Sequence, residues 1–72
     1  MDVGEVTVEE FKRIIYRYVA ERGEVDLREL NEYAKRFMPS WVPSSVWLYV
    51  MSPYLEYVKR GDRMYARPKK EP

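Results

Sequence analysis

The chain has 72 residues, with 13 Lys+Arg against 12 Asp+Glu and neither Cys nor His. A chain of this length makes one domain that buries about 60% of the surface its unfolded form exposes, which leaves one small core and no deep enclosed active site. Without Cys or His there is no disulfide, no thiolate or imidazole metal site and no imidazole general base. Zinc fingers, haem proteins and triad hydrolases are therefore excluded, an enzyme is not expected, and no cofactor or metal is implied.

Hydrophobic residues make up 46% and charged residues 35% of the chain, a globular balance rather than a disordered one. The absence of Gln and Cys and the single Asn, Asn31, resemble the bias of heat-adapted proteins. The N-terminus lacks the basic start and apolar run of a signal peptide, so a cytoplasmic protein is expected.

Residues 1–6 read as a flexible leader. A helix start follows: Thr7 is placed to cap, Glu10 to reach back to it, and Val6 and Phe11 to form a hydrophobic staple. Phe11, Ile14, Ile15, Tyr18 and Val19 then keep the spacing of one buried stripe, with Glu9/Arg13 and Arg17/Glu21 as pairs on the wet side. Gly23 suits the C-terminal cap. The first helix is predicted over 7–22.

Val25-Asp26-Leu27-Arg28-Glu29-Leu30 repeats the signature with a capping Asp and a Glu three residues on, and Leu27, Leu30, Ala34, Phe37 and Met38 share a face. The second helix is predicted over 27–37. Gly23-Glu24-Val25 between the two helices has room for a turn or a single ladder contact.

From Phe37 to Val58 there is one charge, Glu56, among Trp41, Trp47, Tyr49, Tyr54 and Tyr57. Pro39, Pro43 and Pro53 divide this stretch, and its longest apolar run is far below the ~20 residues of a membrane span. Pro43-Ser44-Ser45 suits a helix start and Pro53 biases Ser52 away from helix, so a third helix is predicted over 44–51. Its expected inward face is Val46, Tyr49 and Val50. That turns Trp47, Met51 or both outward, beside Trp41 and Tyr54, as anchors for a partner or platforms for bases. Trp41 has the further option of folding back over the second helix.

After Pro53 the period becomes two. Residues 54–60 and 63–67 flank Gly61-Asp62, which fits a two-residue hairpin turn with positive φ at its first central position. This register sets Arg60 opposite Arg63, Val58 opposite Tyr65 and Glu56 opposite Arg67, with Lys59/Met64 and Tyr57/Ala66 on the other face. Residues 68–72 read as a flexible tail.

The order of three helices and a C-terminal two-stranded β-hairpin, an α+β class, resembles a winged helix-turn-helix domain over residues 7–67. The likeness rests on Ile14-Ile15, Gly23-Glu24-Val25-Asp26-Leu27, Leu30, Ser44-Ser45-Val46, Leu55-Glu56-Tyr57-Val58, Gly61-Asp62 and Tyr65. It implies nucleic-acid binding, with Ser44, Ser45, Trp47 and Leu48 in the recognition-helix position and Arg60 to Arg63 at the tip of the wing. The third helix carries no Arg, Lys, Asn or Gln to read base edges, so binding is expected to be salt-sensitive and weakly selective.

Charge is sorted along the chain. Residues 1–38 hold seven Lys/Arg and nine Asp/Glu, a net of −2, and residues 39–72 hold six and three, a net of +3. Arg60 facing Arg63 either brackets a phosphate or splays into water with Asp62 as counter-charge. The carboxylates Glu9, Glu10, Asp26, Glu29 and Glu32 are read as caps and solvated faces, not as a catalytic or metal set.

The expected function is thus transcription-related or architectural binding of DNA, with RNA open to the same chemistry. Arg60, Arg63, Arg67 and Lys69 would hold phosphate, while Ser44, Ser45 and Trp47 would supply helix contacts. The alternative is a protein-interaction module or homodimer docking through Trp41, Trp47, Met51 and Tyr54. No membrane partner is expected.

Overall fold

The computed structural model describes residues 6–38 and 42–69. Three helices and three strands follow in the order α1 (Val8–Arg22), β1 (Val25–Asp26), α2 (Leu27–Ala34), α3 (Ser44–Met51), β2 (Leu55–Arg60) and β3 (Arg63–Pro68). Helix α1 begins as its capping box dictates. The Thr7 hydroxyl accepts from the Glu10 amide at 3.1 Å, and the Glu10 carboxylate accepts from the Thr7 amide at 3.1 Å. It ends at Gly23, where a φ of +82° turns the chain and the Gly23 amide donates to the Val19 carbonyl. On its wet side Glu9 pairs with Lys12 at 3.6 Å, in place of the expected Glu9–Arg13 contact.

Helix α2 starts on Asp26, whose carboxylate accepts from the Arg28 amide at 2.8 Å. Glu29 does not complete a capping box, because it accepts the Tyr18 hydroxyl at 2.7 Å instead. That bond, with burial, holds the Tyr18 phenol above its ordinary pKa. Tyr18 also stacks on Tyr33 with ring centroids 3.9 Å apart, so an aromatic pair fixes α1 against α2. The helix stops at Ala34, three residues short of the prediction. The Arg36 and Phe37 amides donate to Tyr33 and Ala34, tightening the last turn, and Pro39 disfavours helical Met38. The Phe37 carbonyl is then free to accept from the Val6 amide at 3.4 Å, which ties down the end of the expected leader.

The hairpin has the predicted register, from Arg60↔Arg63 through Glu56↔Arg67, and extends by one pair to Leu55↔Pro68. Gly61 takes a φ of +64°, the turn conformation that side chains resist. Pro68 is thus strand rather than tail, and the Lys69 amide donates to the Tyr54 carbonyl at 2.9 Å. The sequence reading allowed one ladder contact before α2. The structure has two, Val25↔Ala66 and Asp26↔Tyr65, so β1 joins β3 in an antiparallel sheet of order β1-β3-β2.

The core gathers one to three side chains from every element: Phe11, Ile15 and Val19, then Val25, then Leu30 and Ala34, then Trp47 and Met51, and finally Leu55 and Ala66. The face of α3 is opposite to the predicted one. Trp47 is 2% exposed and Met51 fully buried, while Val46 and Tyr49 point outward at 49% and 80% exposure. The reason is that α3 has no charge to mark a wet side, so size and hydrogen bonding decide. Trp47 meets Phe11 edge-on at 6.1 Å and donates its indole N–H to Asn31 Oδ1 at 3.1 Å. Trp41 lies outside the described residues, as do residues 1–5 and 70–72.

Candidate nucleic-acid interface

The candidate residues divide between the start of α3 and the outer face of the sheet. Pro43 occupies the N-cap of α3 with no side-chain cap hydrogen bond. Ser44 is half-buried and donates its hydroxyl to Asn31 Oδ1 at 2.8 Å, whereas Ser45 is exposed. Trp47 belongs to the core, so it neither stacks on a base nor anchors a partner, and Met51 is removed from the docking surface for the same reason. The exposed aromatic of α3 is Tyr49, and Tyr54 follows it as a partly exposed ring with Lys12 Nζ 5.6 Å from its centroid.

Alternation along the sheet sends Leu55, Tyr57, Met64 and Ala66 toward the helices and puts Arg60, Arg63, Tyr65 and Arg67 on the opposite face. β1 shares this alternation, so Val25 is buried while Glu24 and Asp26 share the arginines' face. Glu24 takes an ion pair from Arg60 and lies 4.0 Å from Arg67, and Asp26 accepts from Arg63 at 3.2 Å. The Arg60 guanidinium also lies 5.5 Å from the Tyr65 ring centroid. Arg60 and Arg63 therefore do not simply splay into water with Asp62; they cross the sheet to two carboxylates that the sequence reading assigned to a turn and a cap. The signal for that contact was present in Glu24-Val25-Asp26, a polar-apolar-polar triplet directly after the Gly23 turn.

The three arginine side chains keep 55%, 64% and 48% of their surface exposed in the order Arg60, Arg63, Arg67. Exposed ion pairs contribute about 0–1 kcal/mol each, so these guanidiniums remain exchangeable toward a stronger anion. Lys69 stands apart from them, with Nζ 3.4 Å from the Ser52 carbonyl just after α3.

Arg63 and the start of α3 come together. A cleft of about 300 Å³ opens between Arg28 and Asn31 of α2, Ser44 and Leu48 of α3, and Arg63 beside the hairpin turn, and Asp26 and Asp62 line it as well. A second, apolar groove of about 230 Å³ runs between Val8 and Phe11 of α1, Phe37, Val42, and Val46 and Val50 of α3.

Among the described residues no group of three or more Asp or Glu side chains could hold a metal ion, and no helix is long and apolar enough to cross a membrane. Compared with known proteins, the chain matches no family model, no curated protein and no solved structure.

Proposed function

We propose that the chain is a winged helix-turn-helix domain that binds nucleic acid, DNA in the first place, in a transcription-related or architectural role. The observation that carries this reading is the shared cleft: Arg63 of the hairpin and Ser44 and Leu48 of α3 line one concavity, so hairpin and helix face a ligand together. The order of three helices and a hairpin supports the fold assignment, and the exposed Arg60, Arg63 and Arg67 supply phosphate-binding charge. The outer face of α3 offers Ser45 and Tyr49, which fit a groove by shape and hydroxyl contact and discriminate bases weakly.

Binding of a short DNA duplex, followed by fluorescence anisotropy of a labelled strand, tests this. With Arg60, Arg63, Arg67 and Lys69 on phosphate, log affinity falls against log salt with a slope of about −3 to −4. Absent binding, or binding insensitive to salt, would overturn the reading.

A second reading, docking of a protein partner or a second copy, is favoured by one observation: Tyr49 and Val46 are exposed beside the apolar groove. On that reading Tyr49→Glu abolishes assembly in sedimentation velocity while leaving the fold intact. An unchanged sedimentation profile and undiminished partner binding would remove it.

A further inference from the structure

Asn31 has no role by sequence pattern alone, and the structure puts it at the junction of α2, α3 and the cleft. The indole N–H of Trp47 is a donor with no acceptor capacity, so the Asn31 atom it meets must be the carbonyl oxygen Oδ1. The same oxygen accepts from the Ser44 hydroxyl. Both lone pairs of Oδ1 are thereby occupied, and the orientation of the amide is set by its neighbours. The Nδ2 group carries two N–H donors, and no acceptor for them occurs among the described residues, while Asn31 lines the cleft.

Two arginines, Arg28 and Arg63, and two aspartates, Asp26 and Asp62, line the cleft around this group. Each oxygen of Asp26 already meets a donor of the protein, Oδ1 the Arg28 amide and Oδ2 the Arg63 guanidinium. Arg28 lines the same cleft and forms no ion pair among the described residues. Asp62, the other acidic residue of the lining, is exposed at the hairpin turn.

We propose that this cleft is a phosphodiester subsite in which Asn31 Nδ2, Arg28 and Arg63 together hold one backbone phosphate. The assignment rests on the nucleic-acid reading above and deepens it. Adenine recognition by an asparagine needs Oδ1 and Nδ2 at once, and Oδ1 is spent inside the protein. The amide on offer is a donor alone, which suits an anionic oxygen and carries no base information. Asn31 is therefore a sequence-blind anchor.

The chain contains one Asn and no Gln, so a nitrogen–proton correlation spectrum of the labelled protein holds a single side-chain carboxamide pair. Adding two duplexes of unrelated sequence in turn should shift that pair alike with both. A carboxamide pair that stays put while backbone amides of α3 shift would overturn the subsite and leave the nucleic-acid reading standing. Loss of all shifts with both duplexes would overturn the nucleic-acid reading itself.

Asn31→Asp gives a second readout, because it retains the acceptor for Ser44 and Trp47 and replaces the donor by a carboxylate oxygen. Affinity should fall about tenfold to a hundredfold, equally for both duplexes. A loss confined to one sequence would make Asn31 a base reader and sink the proposal. Arg28→Gln, on an exposed position, should lower affinity for both duplexes alike; an unaltered affinity would count against the cleft.

Discussion

Helices α2 and α3 are each eight residues long, and they differ in what holds them in place. In α2 the charged residues Arg28, Glu29 and Glu32 stay exposed and Leu30 and Ala34 go inside, so polarity alone orients the helix. In α3 there is no charge, and every residue from Val46 to Met51 is apolar or aromatic. There the inward stripe is chosen by Trp47 and Met51, four residues apart, and pinned by the acceptor that Asn31 offers to Trp47. A helix rich in apolar residues is thus oriented by ring size together with the Asn31 acceptor that takes Trp47 and Ser44, and the large apolar surface left over faces outward at Tyr49 and Val46.

The sharpest way to break this comparison is to truncate the two aromatic rings of α3. Trp47→Ala should destabilise the domain by about 3–5 kcal/mol, enough to unfold a marginal protein, whereas Tyr49→Ala should stay within about 0.5 kcal/mol. Urea denaturation followed by circular dichroism measures both. Equal losses would mean that α3 has no preferred inner face.

A smaller effect tests how α3 is tied to the hairpin. The Tyr57 hydroxyl donates to the Leu48 carbonyl at 2.8 Å, and burial pushes its phenol up to about 12. Because the folded state holds this proton more tightly than the unfolded chain, whose tyrosines titrate near ~10, the associated stability is complete below about pH 10 and is lost as pH rises toward 12. Tyr57→Phe should cost about 1 kcal/mol at neutral pH and flatten the alkaline decline relative to wild type. Paired unfolding curves at neutral and alkaline pH check this, and an equally steep decline in the variant would place the titration elsewhere.

Where local chemistry decides, the sequence was sufficient. The capping box on Thr7 and Glu10, the bounds of α3 and the whole hairpin register follow from side chains a few residues apart, and the structure has them as read. What could not be read depends on residues far apart in the chain. The inner face of α3 is settled by Asn31, and β1 exists because Glu24-Val25-Asp26 finds β3, with Arg60, Arg63 and Arg67 as charge partners. The end of α2 was misjudged because Phe37 and Met38 fit its apolar periodicity, yet Phe37 contributes its carbonyl to Val6. Of the candidate site, the arginines and Ser45 were legible by residue type. Trp47 and Met51 were not, since nothing in an uncharged helix says which large side chain is hidden.

The central position of β3 bears on how the molecule is assembled during synthesis. Val25 and Asp26 are made early, and the backbone groups they offer have no mate until Tyr65 and Ala66 leave the ribosome. Helices α1 and α2 can approach one another beforehand, but the layer that seals their underside arrives last. Completion of the native state is therefore a single late event, and a nascent chain halted within the Gly61 turn would present a half-built body to the cell's quality control.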